Sequence, residues 1–158
     1  MTIDNYLNSY VFLLFQDENL RQNACKAVDL FLKDNKPVKN TQLHSIPLVI
    51  QAKGLSGLKD LIENQKGKDT KPENKIFWGF LHDLILAQPG TDYSLRQIIQ
   101  NELQAHNLLA EETMTPDKTE QKKIKKLNKA VIDEVLTQSL PVYFEHFNCH
   151  YFYTRQGA

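Results

Sequence analysis

The segment KTEQKKIKKLNK, Lys118 to Lys129, places six lysines and one glutamate in twelve residues. On a helix turning by roughly 100° per residue, Lys118, Lys122, Lys125, Lys126 and Lys129 share one arc of about a third of the circumference. Side chains three or four apart on a helix repeat at about 5–6 Å. Such a row of ammonium groups suits a phosphate backbone better than base edges, giving affinity without sequence choice. Ile124, Leu127, Val131 and Val135 fall on the opposite side of the wheel. The pattern therefore predicts a helix packed through those four, with its lysines turned to solvent. The plain alternative is a solvated face that binds nothing.

A second group of reactive side chains lies in HFNCHYFYTR, where His146, Cys149 and His150 stand at i, i+3 and i+4. On a helix all three project from one face. Imidazole and thiolate are good zinc ligands, but a structural site needs four donors. A fourth would have to come from His44, His82 or His106, and the spacing matches no established zinc pattern, so no metal is expected. Around these residues stand Tyr143, Phe144, Phe147, Tyr151, Phe152 and Tyr153, six of the fifteen aromatics in the chain. A packed or partner-binding aromatic end is the expectation, with Tyr143, Phe144, Phe147, Tyr151 and Phe152 as protein-interface candidates.

Catalysis finds no constellation. His82 beside Asp83 and Glu145 beside His146 are neighbours in sequence, pointing about 100° apart on a helix, so neither is expected to act as a dyad. No G-x-S-x-G, phosphate-binding loop or H-E-x-x-H is present. The stretch DYSLRQIIQNELQAHNLLAEE has Arg96 as its one cation, and PGTD precedes it. That is a poor recognition helix for DNA. A non-enzymatic protein without cofactors is expected.

With 158 residues, 41% hydrophobic and 24% charged, the chain is expected to form one soluble domain with a real core. Lys+Arg and Asp+Glu both number 19, so any polyanion must be met by a local patch and not by the global field. Cys25 and Cys149 lie far apart and suggest no disulfide framework. The N-terminal apolar run is too short for a signal peptide or a span. A cytoplasmic protein with no membrane partner is the expectation.

The elements that would position these residues are helical throughout. Ile3, Leu7, Tyr10 and Leu14 repeat at three- and four-residue spacing. Asp17 is a plausible N-cap for a helix over about 18–33, with Leu20, Ala24, Ala27, Val28, Phe31 and Leu32 inside. In IPLVIQAKGL, Pro47 reads as a first-turn residue and Gly54 as a helix-closing glycine. Ser56 is placed to cap the next helix. Polar loops are predicted near 66–74 and 111–118, with a hydrophobic helix (KIFWGFLHDLILAQ) between them, stopped at Pro89-Gly90. A further helix opens at Asp92 or Ser94 and runs to about Glu111. The last runs from about Lys118 toward Phe152, and Pro141 is expected to kink or split it. No run alternates at period two. The reading is an all-α single compact bundle of six to eight helices.

Residues 20–88, and most sharply LHSIPLVIQAKGLSGLKDLIENQ and FWGFLHDLILAQ, resemble the small all-helical subunit of type III-B CRISPR effector (Cmr) complexes. That family shows a similar proline, short apolar helix and Gly-Leu leading into the next helix. The resemblance implies a non-catalytic subunit of an antiviral ribonucleoprotein, stacked along guide and target RNA. Its partners would be the other subunits and the RNA backbone, with self-association also open. Lys53, just before the turn, joins Lys118, Lys122, Lys125, Lys126 and Lys129 as candidate RNA-backbone contacts on charge alone. The competing reading is a helical protein-interaction adaptor that uses the aromatic segment and no nucleic acid.

Overall fold

The computed structural model describes residues 1–68, 71–86, 94–111 and 117–156. Among them the chain is all-α: α1 (Ile3–Leu7), α2 (Tyr10–Leu14), α3 (Arg21–Asp34), α4 (Asn40–Lys68), α5 (Pro72–Ile85), α6 (Leu95–Ala105) and α7 (Lys118–Gln156). A π-helical turn, Phe15–Leu20, joins α2 to α3. No helix among the described residues is long and apolar enough to cross a membrane. The predicted Pro89-Gly90 stop and Asp92 cap lie outside the described residues. The first polar loop is shorter than expected where it is described, since α4 continues through Lys68 and α5 begins at Pro72, whereas α6 ends at Ala105, before the predicted Glu111.

The N-terminal helix predicted from Ile3, Leu7, Tyr10 and Leu14 is broken at Ser9, whose hydroxyl accepts from the Phe12 N–H and caps α2. Tyr6, Phe12 and Phe15 face the core, while Tyr10 and Leu14 are exposed. Asp17 caps nothing, because it lies inside the π turn. A π turn holds one residue more than the α-turn it replaces, advancing the helix by about 100°. That advance brings Leu20, Ala24, Ala27, Val28 and Phe31 onto the side already used by Phe12 and Phe15, and all of them are buried.

Helix α4 begins at Asn40, so Pro47 stands in its interior and not in its first turn. A proline there removes the bond to the carbonyl four residues back. That carbonyl belongs to Leu43, and it accepts instead from Asn148 Nδ2 of α7 at 3.4 Å. Gly54 does not close the helix but kinks it, with φ 63° and ψ −147°. This backbone region is essentially reserved for glycine. Beyond the kink Gly57 passes so close that a Cβ on it would stand 2.5 Å from Lys53 Cβ and 3.0 Å from Val49 Cγ1.

Helix α7 is the spine, packing against α3, α4, α6 and the π turn. It runs unbroken through Pro141, without the predicted split. Val135, Leu136, Leu140, Tyr143, Phe144, Phe147 and Tyr151 are all buried at 1% exposure or less. They meet Phe31, Phe77 and Trp78 in a continuous aromatic cluster, with Phe147 stacked at 6.3 Å on Tyr151 and Phe77 edge-on to Phe31 at 5.5 Å. Burying each of these side chains contributes about 1.5–3 kcal/mol. The polar tips are used as well. Tyr151 Oη accepts from the Val38 N–H at 2.6 Å, and Trp78 Nε1 donates to Gln42 Oε1 at 2.9 Å.

Candidate functional site

Tyr143, Phe144, Phe147 and Tyr151 lie inside the molecule, so they are core and not a contact surface of the folded chain. Phe152 is half-buried against the His44 ring at 5.7 Å. Of the C-terminal aromatics only Tyr153 is freely exposed, at 78%. Burial pushes the Tyr143 hydroxyl far above the usual tyrosine value, as it does for Tyr6, and neither hydroxyl has a protein partner among the described residues. The Tyr151 hydroxyl is raised by burial too, opposed by its Val38 bond and by Arg155.

His146, Cys149 and His150 do share the last helix, but His150 Nε2 is turned to Asp29 of α3 at 2.8 Å. Among the described residues no three His, Cys, Asp or Glu side chains come close enough together to hold a metal. Burial raises the Cys25 thiol above its ordinary value, which leaves it a poor nucleophile. One expectation about acid–base pairs is corrected. His82 Nδ1 reaches Asp83 Oδ1 at 3.3 Å although the two are adjacent in sequence, since both rotamers lean toward each other on an open surface.

The lysine segment departs from expectation at one residue, Leu127, predicted to pack but 64% exposed. Val135 is buried and Ile124 and Val131 are half-buried, with Asn128 and Ile132 buried beside them. Eighteen residues are five full turns of an α-helix. Lys118, Lys122, Lys125, Lys126 and Lys129 stand eighteen residues before Leu136, Leu140, Tyr143, Phe144 and Phe147, every one of them buried. The core stripe of α7 thus continues as a lysine stripe, and all five lysines are exposed.

Two of them, Lys125 and Lys129, form one wall of a groove of about 1170 Å³ between α7, α6 and α4. The facing wall is the row Arg96, Gln100 and Gln104 along α6, extended by Asn107, whose φ of 55° turns the chain out of the helix. The third side is Leu55, Ser56 and Lys59, which α4 delivers just after the Gly54 kink. Buried Leu95, Ile99 and Leu103 seat α6 on the core, and the groove row follows one residue later at the same four-residue spacing. The walls are tied at both ends. Arg96 pairs with Asp133 across one end, and Asn128 at the other accepts from the Ala110 N–H at 2.9 Å and donates to its carbonyl at 2.8 Å.

The electrostatics are one-sided. Among the described residues four cations line the groove against Glu111 and Asp133, and Asp133 is already engaged by Arg96. Among the described residues Lys59, Lys125 and Lys129 have no carboxylate within ion-pair distance. The amides of Gln100, Gln104 and Asn107 likewise make no side-chain hydrogen bond there. Arg96 Nε is buried with no partner among these residues. Unpaired ammonium groups and amides around a concave surface are arranged to receive an anion that also carries hydrogen-bonding edges.

Lys118, Lys122 and Lys126 continue the lysine row outside the groove lining, and Lys53 is exposed on the other side of the Gly54 kink. Lys59, Gln100, Gln104 and Asn107 were not singled out by the sequence pattern. The one signal that marks them is the polar row set one residue after an apolar row in α6.

No protein-family model, no curated protein and no solved structure matches this chain.

Proposed function

We propose that this chain is a non-catalytic RNA-backbone-binding subunit of a ribonucleoprotein assembly. The observation that carries the reading is the set of groove cations without a carboxylate partner among the described residues, Lys125 and Lys129 on α7 with Lys59 on α4, in a protein of zero formal net charge. A neutral protein that gathers unpaired cations on one face is built for local contact with a polyanion. The rest of the lysine row, Lys118, Lys122 and Lys126, extends that face along a line. The resemblance of residues 20–88 to the Cmr small subunit gives the assembly a specific form: a type III-B CRISPR effector, with this chain stacked along guide and target RNA among other subunits. The kinked α4, joined to α7 through Asn148 and Leu43, suits a rigid brick that must repeat without deforming.

The test is recovery of the tagged chain from its native host under gentle conditions, followed by identification of co-purifying proteins and RNA. A defined multi-subunit particle carrying a short RNA of nearly uniform length is the expected result. The chain recovered alone, or with one protein and no RNA, contradicts the reading and favours the adaptor.

A further inference from the structure

We infer that the groove between α6 and α7 tells RNA from DNA by the ribose 2′-hydroxyl, with phosphates on Lys125 and Lys129 and hydroxyls on Gln100 and Gln104. This rests on the RNA-backbone-binding reading and adds to it a choice that lysines do not make. A phosphate is the same group in RNA and DNA, so a lysine row binds both alike. The 2′-hydroxyl is what separates them, and contact with it requires no particular base.

Three observations carry it. First, the two walls have the same spacing. Lys125 and Lys129 on α7, like Gln100 and Gln104 on α6, stand four residues apart, about 6 Å at 1.5 Å per residue. A nucleic-acid strand repeats one phosphate and one sugar per nucleotide, so a cation row beside a hydrogen-bonding row of equal pitch matches its two ladders. The rows lie side by side along the groove, because Arg96 is tied to Asp133 at one end and Ala110 to Asn128 at the other.

Second, the free polar groups divide between the walls. On α7, Asn128 is spent on Ala110, Asp133 on Arg96, and Ile132 is buried and apolar. What α7 still offers is Lys125 and Lys129, both exposed. On the α6 wall Gln100 is half-buried while Gln104 and Asn107 are exposed, and their side-chain amides make no hydrogen bond among the described residues. A carboxamide both donates and accepts, as a ribose hydroxyl does. Third, the α4 side repeats the pairing. Ser56 and Lys59 are exposed and three residues apart, so an ammonium group again has a hydrogen-bonding neighbour one turn away.

An A-form strand displays its hydroxyls on the wide, shallow groove, beside the phosphates and not deep among the bases. They therefore come to exposed amides at the mouth of the protein groove. Guide and target strands of any sequence meet this surface in the same way.

The experiment is a nuclear magnetic resonance titration of the full chain at low salt. The probes are single strands of one mixed sequence, free of uracil and thymine, as RNA, as DNA and as 2′-fluoro RNA. RNA and DNA of a second, unrelated sequence and an oligoglutamate peptide complete the set. The Lys125 and Lys129 backbone signals should move with RNA and DNA, and the Gln100 and Gln104 side-chain amide signals chiefly with RNA. RNA should bind about fivefold or more tightly than DNA, as two hydrogen bonds at the lower end of their ordinary net strength give. The ratio should be the same for both sequences. 2′-Fluoro RNA keeps the ribose pucker but cannot donate from that position, and should bind as DNA does. Gln100→Ala/Gln104→Ala should bring the ratio close to one with DNA affinity unchanged, whereas Lys125→Gln/Lys129→Gln should weaken both ligands and keep it. Equal Kd for RNA and DNA, 2′-fluoro RNA bound as tightly as RNA, or an RNA preference that survives the amide variant overturns ribose recognition by this wall and leaves backbone binding standing. A ratio that changes with sequence does the same, since bases would then be read. Saturation by the peptide as well as by RNA, or no movement of any lysine signal with either nucleic acid, overturns both readings together.

Discussion

The two halves of α7 turn the same side to different surroundings. From Leu136 to Tyr151 that side is aromatic and sealed beneath α3, α4 and α5. From Lys118 to Lys129 it is lysine and exposed, and Lys125 and Lys129 look across a groove at α6 and the kinked end of α4. Where facing helices bring apolar surface this side of α7 is Leu, Phe and Tyr, and where they bring amides and a part-buried ion pair it is exposed Lys. The lesson concerns which side of a helix is functional. A lysine row on the outside would be an ordinary solvated face. Here two of the exposed lysines, Lys125 and Lys129, border a groove with a polar wall, and their charges have no protein partner among the described residues.

Substitutions in the two halves should therefore differ sharply. Phe147→Ala removes a fully buried ring from the aromatic cluster and should cost about 3–5 kcal/mol in urea unfolding, with RNA binding lost only through unfolding. Lys125→Ala with Lys129→Ala should stay within about 0.5 kcal/mol per site while lowering RNA affinity. A comparable loss of stability in both halves would mean that the lysines are packed like the aromatics, and the contrast would fail.

Between these extremes lies the device that supplies the third side of the groove. Gly57→Ala sets a methyl against Lys53 Cβ and Val49, backbone-proximal atoms unable to swing away. Overpacking of this kind should cost about 1–3 kcal/mol. Because Leu55, Ser56 and Lys59 flank that position, RNA binding should weaken more than the loss of stability explains. Unchanged stability would show that the two arms of α4 separate freely, which contradicts a rigid groove.

The all-α class and most of the inner residues of α3 were legible in the sequence, because apolar spacing marks a helix and its buried arc. Four features were not, each for a physical reason. The π turn shifts the stripe between Phe15 and Leu20, which no fixed period reports. Pro47 is read locally as a first-turn residue, but the bond it forfeits at the Leu43 carbonyl is replaced by Asn148, 105 residues beyond Leu43. The lysine face, expected outside, is exposed, and of the expected apolar arc only Leu127 fails to pack. That Lys125 and Lys129 border a groove depends on what α6 and α4 bring beside them, which the local pattern does not report. The aromatic segment was recognised as exceptional, but its interior position depends on partners such as Phe31, Phe77 and Val38, far from it in the chain.

The central claim, that the groove lysines of α7 contact RNA phosphates, is tested most directly by the salt dependence of single-stranded RNA binding for the native chain and for Lys125→Gln/Lys129→Gln. Each single-strand phosphate neutralised contributes about 0.7 to the slope of log K against log salt concentration. The account predicts that the double variant loses about 1.4 from that slope and binds more weakly at every salt concentration. An identical slope in the two proteins would mean that these lysines touch no phosphate.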